Sequence, residues 1–125
     1  MKTVTFSIRS LSEVADDFAK TFDAVRTRRR IPKKIRDEVG FTSIEAARNF
    51  MTRERLALMH AIRTGQPGSL YELAKMVKRD FKNVQQDIRI LERHGLVRIA
   101  KQVRGKRKIK VPQVLFEEIA LRIAI

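Results

Sequence analysis

The sequence predicts an α+β chain, mainly helical, and three observations carry that prediction. Apolar residues recur at three- and four-residue steps through the middle of the chain, the period of amphipathic helices. At both ends they alternate one by one, the period of strands, and a basic, glycine-centred hairpin pattern follows the last well-specified helix. With 125 residues, 43% of them apolar, the chain can bury an ordinary core as one domain, or as one small domain with an extension.

At the N-terminal end, Val4, Phe6 and Ile8 alternate with Thr3, Thr5, Ser7 and Arg9, which predicts a half-buried strand ended by Ser10. Ser10 and Glu13 have the spacing of a capping box, and Leu11, Val14, Ala15, Phe18, Phe22 and Val25 form the apolar stripe of a helix over 11–26. Residues 1–26 thus read as a strand-helix element. From Arg26 to Arg36 there are seven basic residues and no acid, and Pro32 disfavours helix at Ile31. Residues 27–40 are therefore assigned to a basic linker. It is either a solvated connector or an arm that touches a polyanion through Arg28, Arg29, Arg30, Lys33 and Lys34.

Thr42 and Glu45 repeat the capping-box spacing ahead of Ala46, Ala47 and Phe50, predicting a short helix over 43–51. Thr52 is placed to cap a helix over 53–64 that turns Leu58, Met59 and Ile62 inward and stops at Gly65-Gln66-Pro67-Gly68. Ser69 and Glu72 cap the next helix, whose Leu70, Leu73, Ala74 and Val77 fit the i, i+3, i+4, i+7 template. A turn at Arg79-Asp80, with Asp80 as cap, leads to a helix with Phe81, Val84, Ile88 and Leu91 as its buried stripe and Gly95 as its stop. His94 is read as a helix-end residue near the last carbonyls. Val97, Ile99, Lys101 and Val103 then alternate with polar residues, and Arg104-Gly105-Lys106 turns the chain into Lys108-Ile109-Lys110-Val111. In the final segment, 113–125, Ile119, Leu121, Ile123 and Ile125 alternate with Glu118, Ala120, Arg122 and Ala124. That predicts a strand, with a helix as the alternative. The natural partner of an apolar last strand is the 4–8 strand, in the same or in a second subunit.

Charge narrows the function. The net formal charge is +14, and between Arg79 and Val111 eleven Lys or Arg face three Asp or Glu, a local +8. The 26–36 run adds +7, which leaves the rest of the chain near −1. Such an imbalance predicts a polyanionic partner: DNA, RNA or an anionic membrane face. No apolar run reaches the roughly 18 residues that span a bilayer, and the start has no apolar signal core, so a cytoplasmic protein with no membrane partner is expected. The single Tyr71 and absent Trp leave little for stacking on single-stranded bases. Without cysteine there is neither a disulfide framework nor a thiolate zinc site. His60 and His94 are too far apart in sequence to suggest a metal site, and Asp16-Asp17, as helix neighbours, point in different directions. There is no glycine-rich phosphate loop and no nucleophile elbow. No enzyme activity, cofactor or metal is expected.

Two short helices, a second with a polar outer face, and a basic hairpin after it make the pattern of a winged helix-turn-helix over 41–112. At 100° per residue, the stripe of Phe81, Val84, Ile88 and Leu91 leaves Lys82, Asn83, Gln86, Arg89 and Arg93 on the outer side of the 81–94 helix. Asn and Gln bond bidentately to adenine and Arg to guanine, so Asn83, Gln86 and Arg89 are the base-reading candidates, with Gln85 beside them. Lys82 and Arg93 suit phosphates. Ile90 falls on the same outer side with no evident role there. On the hairpin, or wing, Arg104, Lys106, Arg107 and Lys108 surround the turn where cations reach the sugar-phosphate backbone or minor groove. Lys108 and Lys110 have an alternative role, guarding an edge against aggregation.

The segments Phe41-Thr42-Ser43 with Glu45-Ala46, Leu56-Ala57-Leu58-Met59, Leu70-Tyr71-Glu72-Leu73-Ala74, Arg79 through Ile88, and Leu91 through Val97 together resemble MarR-like winged-helix transcriptional regulators. The likeness covers 41–111 and is greatest to a small prokaryotic and archaeal branch of DNA-binding proteins. The resemblance implies a homodimeric repressor or regulator of double-stranded DNA, with Lys82, Asn83, Gln86 and Arg89 at recognition-helix positions. It also implies an alternative, an antitoxin that neutralises a small toxin partner and represses its own operon. The chain departs from MarR proteins in that both termini alternate like strands, where MarR proteins dimerise through terminal helices. The expected dimer is therefore built from the 1–26 element and the C-terminal strand.

Overall fold

A computed structural model describes residues 2–8 and 38–124. The helix expected over 11–26 and the basic run through residue 37, with Arg28, Arg29, Arg30, Lys33 and Lys34, lie outside the described residues. Five strands and four helices are described: β1 (Thr3–Ile8), β2 (Glu38–Phe41), α1 (Ile44–Phe50), α2 (Arg53–Gly65), α3 (Leu70–Val77), α4 (Phe81–Arg93), β3 (Arg98–Arg104), β4 (Arg107–Gln113) and β5 (Glu118–Ile123). The α+β class expected from the sequence is what the chain adopts. It divides into two compact units, Met1–Phe50 with Phe116–Ile125, and Met51–Leu115.

Among the described residues the first unit holds a three-stranded sheet of order β2-β1-β5, with β1 paired in parallel to both neighbours. The alternation read at each end is correct, and the last segment is a strand whose partner is β1 of the same chain. Register explains the burial: Val4, Phe6 and Ile8 lie beside Ile119, Leu121 and Ile123, while Phe6 and Ile8 lie beside Val39 and Phe41. All eight side chains share one face, because paired residues of adjacent strands point the same way. On that face Phe6, Phe41 and Phe50 of α1 form a ring cluster with centroids 5.2–6.0 Å apart. The opposite face is polar yet closed at its centre. Ser7 is buried and donates to the Glu38 carboxylate, which also accepts from Arg122 Nη2 at 3.1 Å. A buried carboxylate costs little here because donors surround it.

β2 corrects the expected linker, whose last residues, 38–40, are strand. Four residues are too few to show a period, and their strand character comes from pairing with β1, which is not local. α1 belongs with this sheet unit, although the sequence reading placed it with the helices and hairpin of 41–112. Its cap also shifts by one residue: the Ser43 hydroxyl accepts from Ala46 N at 3.0 Å, where Thr42 was expected to cap.

The second unit packs three helices against the β3–β4 hairpin, an element order compatible with a winged-helix-like fold. Leu58, Met59 and Ile62 of α2, Leu70, Leu73 and Ala74 of α3, and Val84, Ile88 and Leu91 of α4 fill its core with Leu96 and Val97. Local sequence sets its boundaries. Thr52 Oγ1 accepts from Arg55 N at 3.2 Å and Ser69 Oγ from Glu72 N at 3.0 Å, and Glu72 returns a bond by accepting from Gly68 N at 2.8 Å. α3 stops at Lys78, a left-handed residue with φ 55°, one position before the expected turn. α4 stops at Gly95, φ 77°, where Leu96 N donates to the Leu91 carbonyl at 2.9 Å. His94 Nδ1 lies 2.9 Å from the Ile90 carbonyl, the helix-end placement expected of it.

Candidate nucleic-acid interface

α4 presents its two faces much as its periodicity predicts. Val84, Ile88 and Leu91 are fully buried, and Lys82, Asn83, Gln86, Arg89 and Arg93 are exposed. Phe81 is the exception in the predicted buried stripe: it stands at the first position of the helix, 36% exposed, with its ring 6.0 Å from Tyr71. Asp80 makes no side-chain capping bond, so the start of α4 is set by the turn and by packing. Gln85 and Ile90 are half-buried flank residues. The half-buried state of Ile90 explains why a wheel alone left it on the outer side without a role.

The orientation of α4 depends on a carboxylate that the periodicity did not single out. Asp87 lies on the flank of the buried stripe, its side chain 17% exposed, and each oxygen meets a different arginine. Arg55 Nε of α2 donates at 3.1 Å, and Arg79 Nη2 of the α3–α4 turn donates at 2.9 Å. One acidic residue thus pins α4 to the helix beneath it and to the turn before it. Charge-assisted bonds of this kind are the stronger ones, and these are partly shielded from water. Arg55 is thirty-two positions away in sequence, so no local spacing rule reveals the pairing.

The hairpin turns on two residues between Arg104 and Arg107, and Gly105 adopts φ 64° at the first of them, a conformation that suits glycine. Arg104, Lys106, Arg107 and Lys108 are all exposed. The strand register divides the hairpin's cations between its faces. Lys101 pairs with Lys110, Val103 with Lys108 and Ile99 with Pro112, so these residues share one face, while Arg104, paired with Arg107, is on the other. Arg104 lies against the start of α3: a Cβ on Gly68 would stand 3.3 Å from its Nη2 and 3.1 Å from Glu72 Oε2.

The face that carries Lys101 and Lys110 looks onto α4. A groove of about 230 Å³ between helix and hairpin is lined by Gln85, Arg89 and Glu92 on one side and Ile99, Lys101 and Lys110 on the other. Lys101 and Lys110 therefore join the α4 side chains Gln85 and Arg89 in one groove, a placement that sequence reasoning missed. The signal was present, since Lys101 shares the phase of the packing residue Ile99. Lys101 and Lys110 stand directly opposite one another in the hairpin, with the Glu92 carboxylate lining the same groove. Among the described residues no group of His, Cys, Asp and Glu could hold a metal ion, and no helix is long and apolar enough to cross a membrane.

No curated protein sequence matches this chain. Among solved structures, it is similar to a protein from Methanosarcina mazei Go1 described as a "possible transcriptional regulator", at 18% identity and a TM-score of 0.45. That match covers 54% of this chain and 58% of the other, so the two share little more than half their lengths. The family model named HVO_A0114 matches residues 50–121, more than half of the chain and the whole of α2, α3, α4 and the β3–β4 hairpin, and the protein belongs to the HVO_A0114 family.

Proposed function

We propose that this protein is a sequence-specific, double-stranded-DNA-binding transcriptional regulator, a MarR-like winged helix-turn-helix protein that acts in the cytoplasm as a dimeric repressor, with neither a catalytic role nor a cofactor. The observation that carries this reading is the continuity of one surface. The exposed face of α4 bears Lys82, Asn83, Gln86, Arg89 and Arg93, and it runs through Gln85 and Arg89 into the cationic hairpin face of Lys101 and Lys110. A helix with amide and guanidinium groups outward reads base edges in the major groove, and flanking cations neutralise phosphates on either side. In this reading Asn83, Gln86 and Arg89 read bases, and Lys82, Arg93, Lys106, Arg107 and Lys108 bind the backbone. Arg104 steadies the hairpin against α3 and contributes less to the DNA. Two subunits would set their recognition helices about 34 Å apart, in successive major grooves of a pseudo-palindromic site.

Selection of bound duplexes from a random pool, repeated at two salt concentrations, tests the reading. A defined motif should emerge at both, with the log of affinity falling against the log of salt by about 0.9 per neutralised phosphate. Asn83→Ala and Gln86→Ala should alter the selected motif while leaving weak binding to random duplex. Replacing Lys106, Arg107 and Lys108 together by Ala should weaken every duplex and flatten the salt slope by about 2–3. A pool that yields no motif, or an affinity indifferent to salt, sinks the proposal.

A further inference from the structure

We propose that β5 is a dimerisation edge that pairs antiparallel with β5 of a second copy of this chain, in the register centred on Ala120, to make one six-stranded sheet. This rests on the dimeric reading above and says how the dimer is made.

Among the described residues β5 has a strand neighbour on one side only. Backbone groups of a strand alternate between its two edges. Glu117 N, just before the strand, donates to the Lys2 carbonyl and shifts the phase by one; from there Ala124 N donates to the Ile8 carbonyl, so within β5 the even-numbered residues address β1, while the amides and carbonyls of Ile119 and Leu121 face outward. The apolar face is uncovered at the same edge: Leu121 is 58% and Ile123 48% exposed, although their partners in β1, Phe6 and Ile8, are buried. An edge strand with an apolar face that stays unpaired is a hazard, and this one carries neither proline nor lysine, its charges being Glu118 and Arg122.

The identity of the occupant follows from the strand's own sequence, Glu118-Ile119-Ala120-Leu121-Arg122-Ile123. In an antiparallel pair with a copy of itself, a two-fold axis at Ala120 sets Glu118 against Arg122 twice and Ile119 against Leu121 twice. The outward-facing Ile119 and Leu121 then form the hydrogen-bonded pairs. Glu118 and Arg122 fall at non-hydrogen-bonded positions, where side chains approach most closely. Charge, apolar contact and backbone phase agree in this one register. Shifting the axis to Arg122 would set two arginines against each other. Arg122 already bonds Glu38 with one guanidinium nitrogen, and its side chain, 56% exposed, keeps further donors for a second carboxylate.

The test is a charge swap read by solution mass on the 125-residue chain. Wild type should have twice the 14.5 kDa chain mass. Glu118→Arg sets arginines against arginines, Arg122→Glu sets glutamates against glutamates, and each should weaken dimerisation on the order of tenfold or more. An equimolar mixture of the two restores both ion pairs and should restore the dimer. Amide exchange gives a second readout: protection of Ile119 and Leu121 should rise with protein concentration. If Arg122→Glu unfolds the chain by abandoning Glu38, as circular dichroism would reveal, that concentration dependence decides the matter. A monomeric wild type, variants that dimerise as tightly as wild type, or a folded mixture that stays dissociated overturns the proposal. The dissociated variants should still bind duplex DNA weakly and with a steep salt dependence. Loss of dimer alone is thus separable from failure of the DNA-binding reading.

Discussion

The two compact units are held together in opposite ways. In Met51–Leu115 most helix ends rest on residues adjacent to them: Thr52 and Ser69 open α2 and α3, and Lys78 and Gly95 close α3 and α4, by bonds or backbone angles within a few positions. In the sheet unit the central strand pairs with residues far along the chain, Thr5 with Glu38 on one side and Thr3 with Glu118 on the other. Local closure makes the helical unit quick to form and its boundaries explicit, whereas long-range parallel pairing must offset loop-closure entropy before any contact is gained. The difference assigns separate tasks. A unit closed locally can present a fixed surface such as α4, and a unit closed by long-range pairing has, among the described residues, an edge strand with one neighbour.

The largest effect that would break this comparison comes from the sheet core. Phe6 is 3% exposed and touches both Phe41 and Phe50, so Phe6→Ala should cost about 3–5 kcal/mol. Because the helical unit has its own core, amide protection should disappear from β1, β2 and β5 while that of α2, α3 and α4 persists. Loss of protection in both units at once would mean that they fold as a single cooperative body.

The same contrast explains what could be read from the sequence. The capped helices α2 and α3, the end of α4 and the hairpin turn were legible because Thr52, Ser69, Glu72, Gly95 and Gly105 act on their immediate neighbours. The outward set of Lys82, Asn83, Gln86, Arg89 and Arg93 was legible for a related reason, since helical phase is fixed by the buried Val84, Ile88 and Leu91. β2 was not legible: Glu38–Phe41 becomes a strand only by joining β1. The helix wheel also could not find Asp87's partners, because Arg55 and Arg79 are brought to it by tertiary packing. Lys101 and Lys110 fell between these cases. Their alternation was visible, but which face of the hairpin looks onto α4 was decided by packing.

Asp87 offers the next largest effect and sharpens the claim that the helical unit presents a fixed surface. Asp87→Ala removes two charge-assisted bonds and leaves Arg55 and Arg79 partly buried without their carboxylate, at a cost of about 2–3 kcal/mol. The substitution also makes the unit more cationic. Thermal unfolding should therefore fall while affinity for random duplex holds or rises, and discrimination between the selected motif and random duplex should shrink because α4 is less firmly oriented. Unchanged discrimination would show that core packing alone aims the helix.

The smallest effects test whether the locally written stops of this unit are conformational or steric, using two glycines that bound helices. At Gly95, φ is 77° and nothing lies within 4 Å of an added Cβ, so the only objection to Ala is the backbone angle. Gly95→Ala should cost about 1 kcal/mol. At Gly65 the objection is one of space: a Cβ would stand 2.0 Å from Met76 Cε. That atom ends a flexible side chain that is 41% exposed, and it can swing away. Ala also gains up to about 1 kcal/mol over Gly inside a helix. Gly65→Ala should thus leave the melting temperature unchanged or raise it slightly, while Gly95→Ala lowers it. If both substitutions lowered it equally, packing around Met76 would matter as much as the backbone angle, and the stops of this unit could not be attributed to local conformation alone.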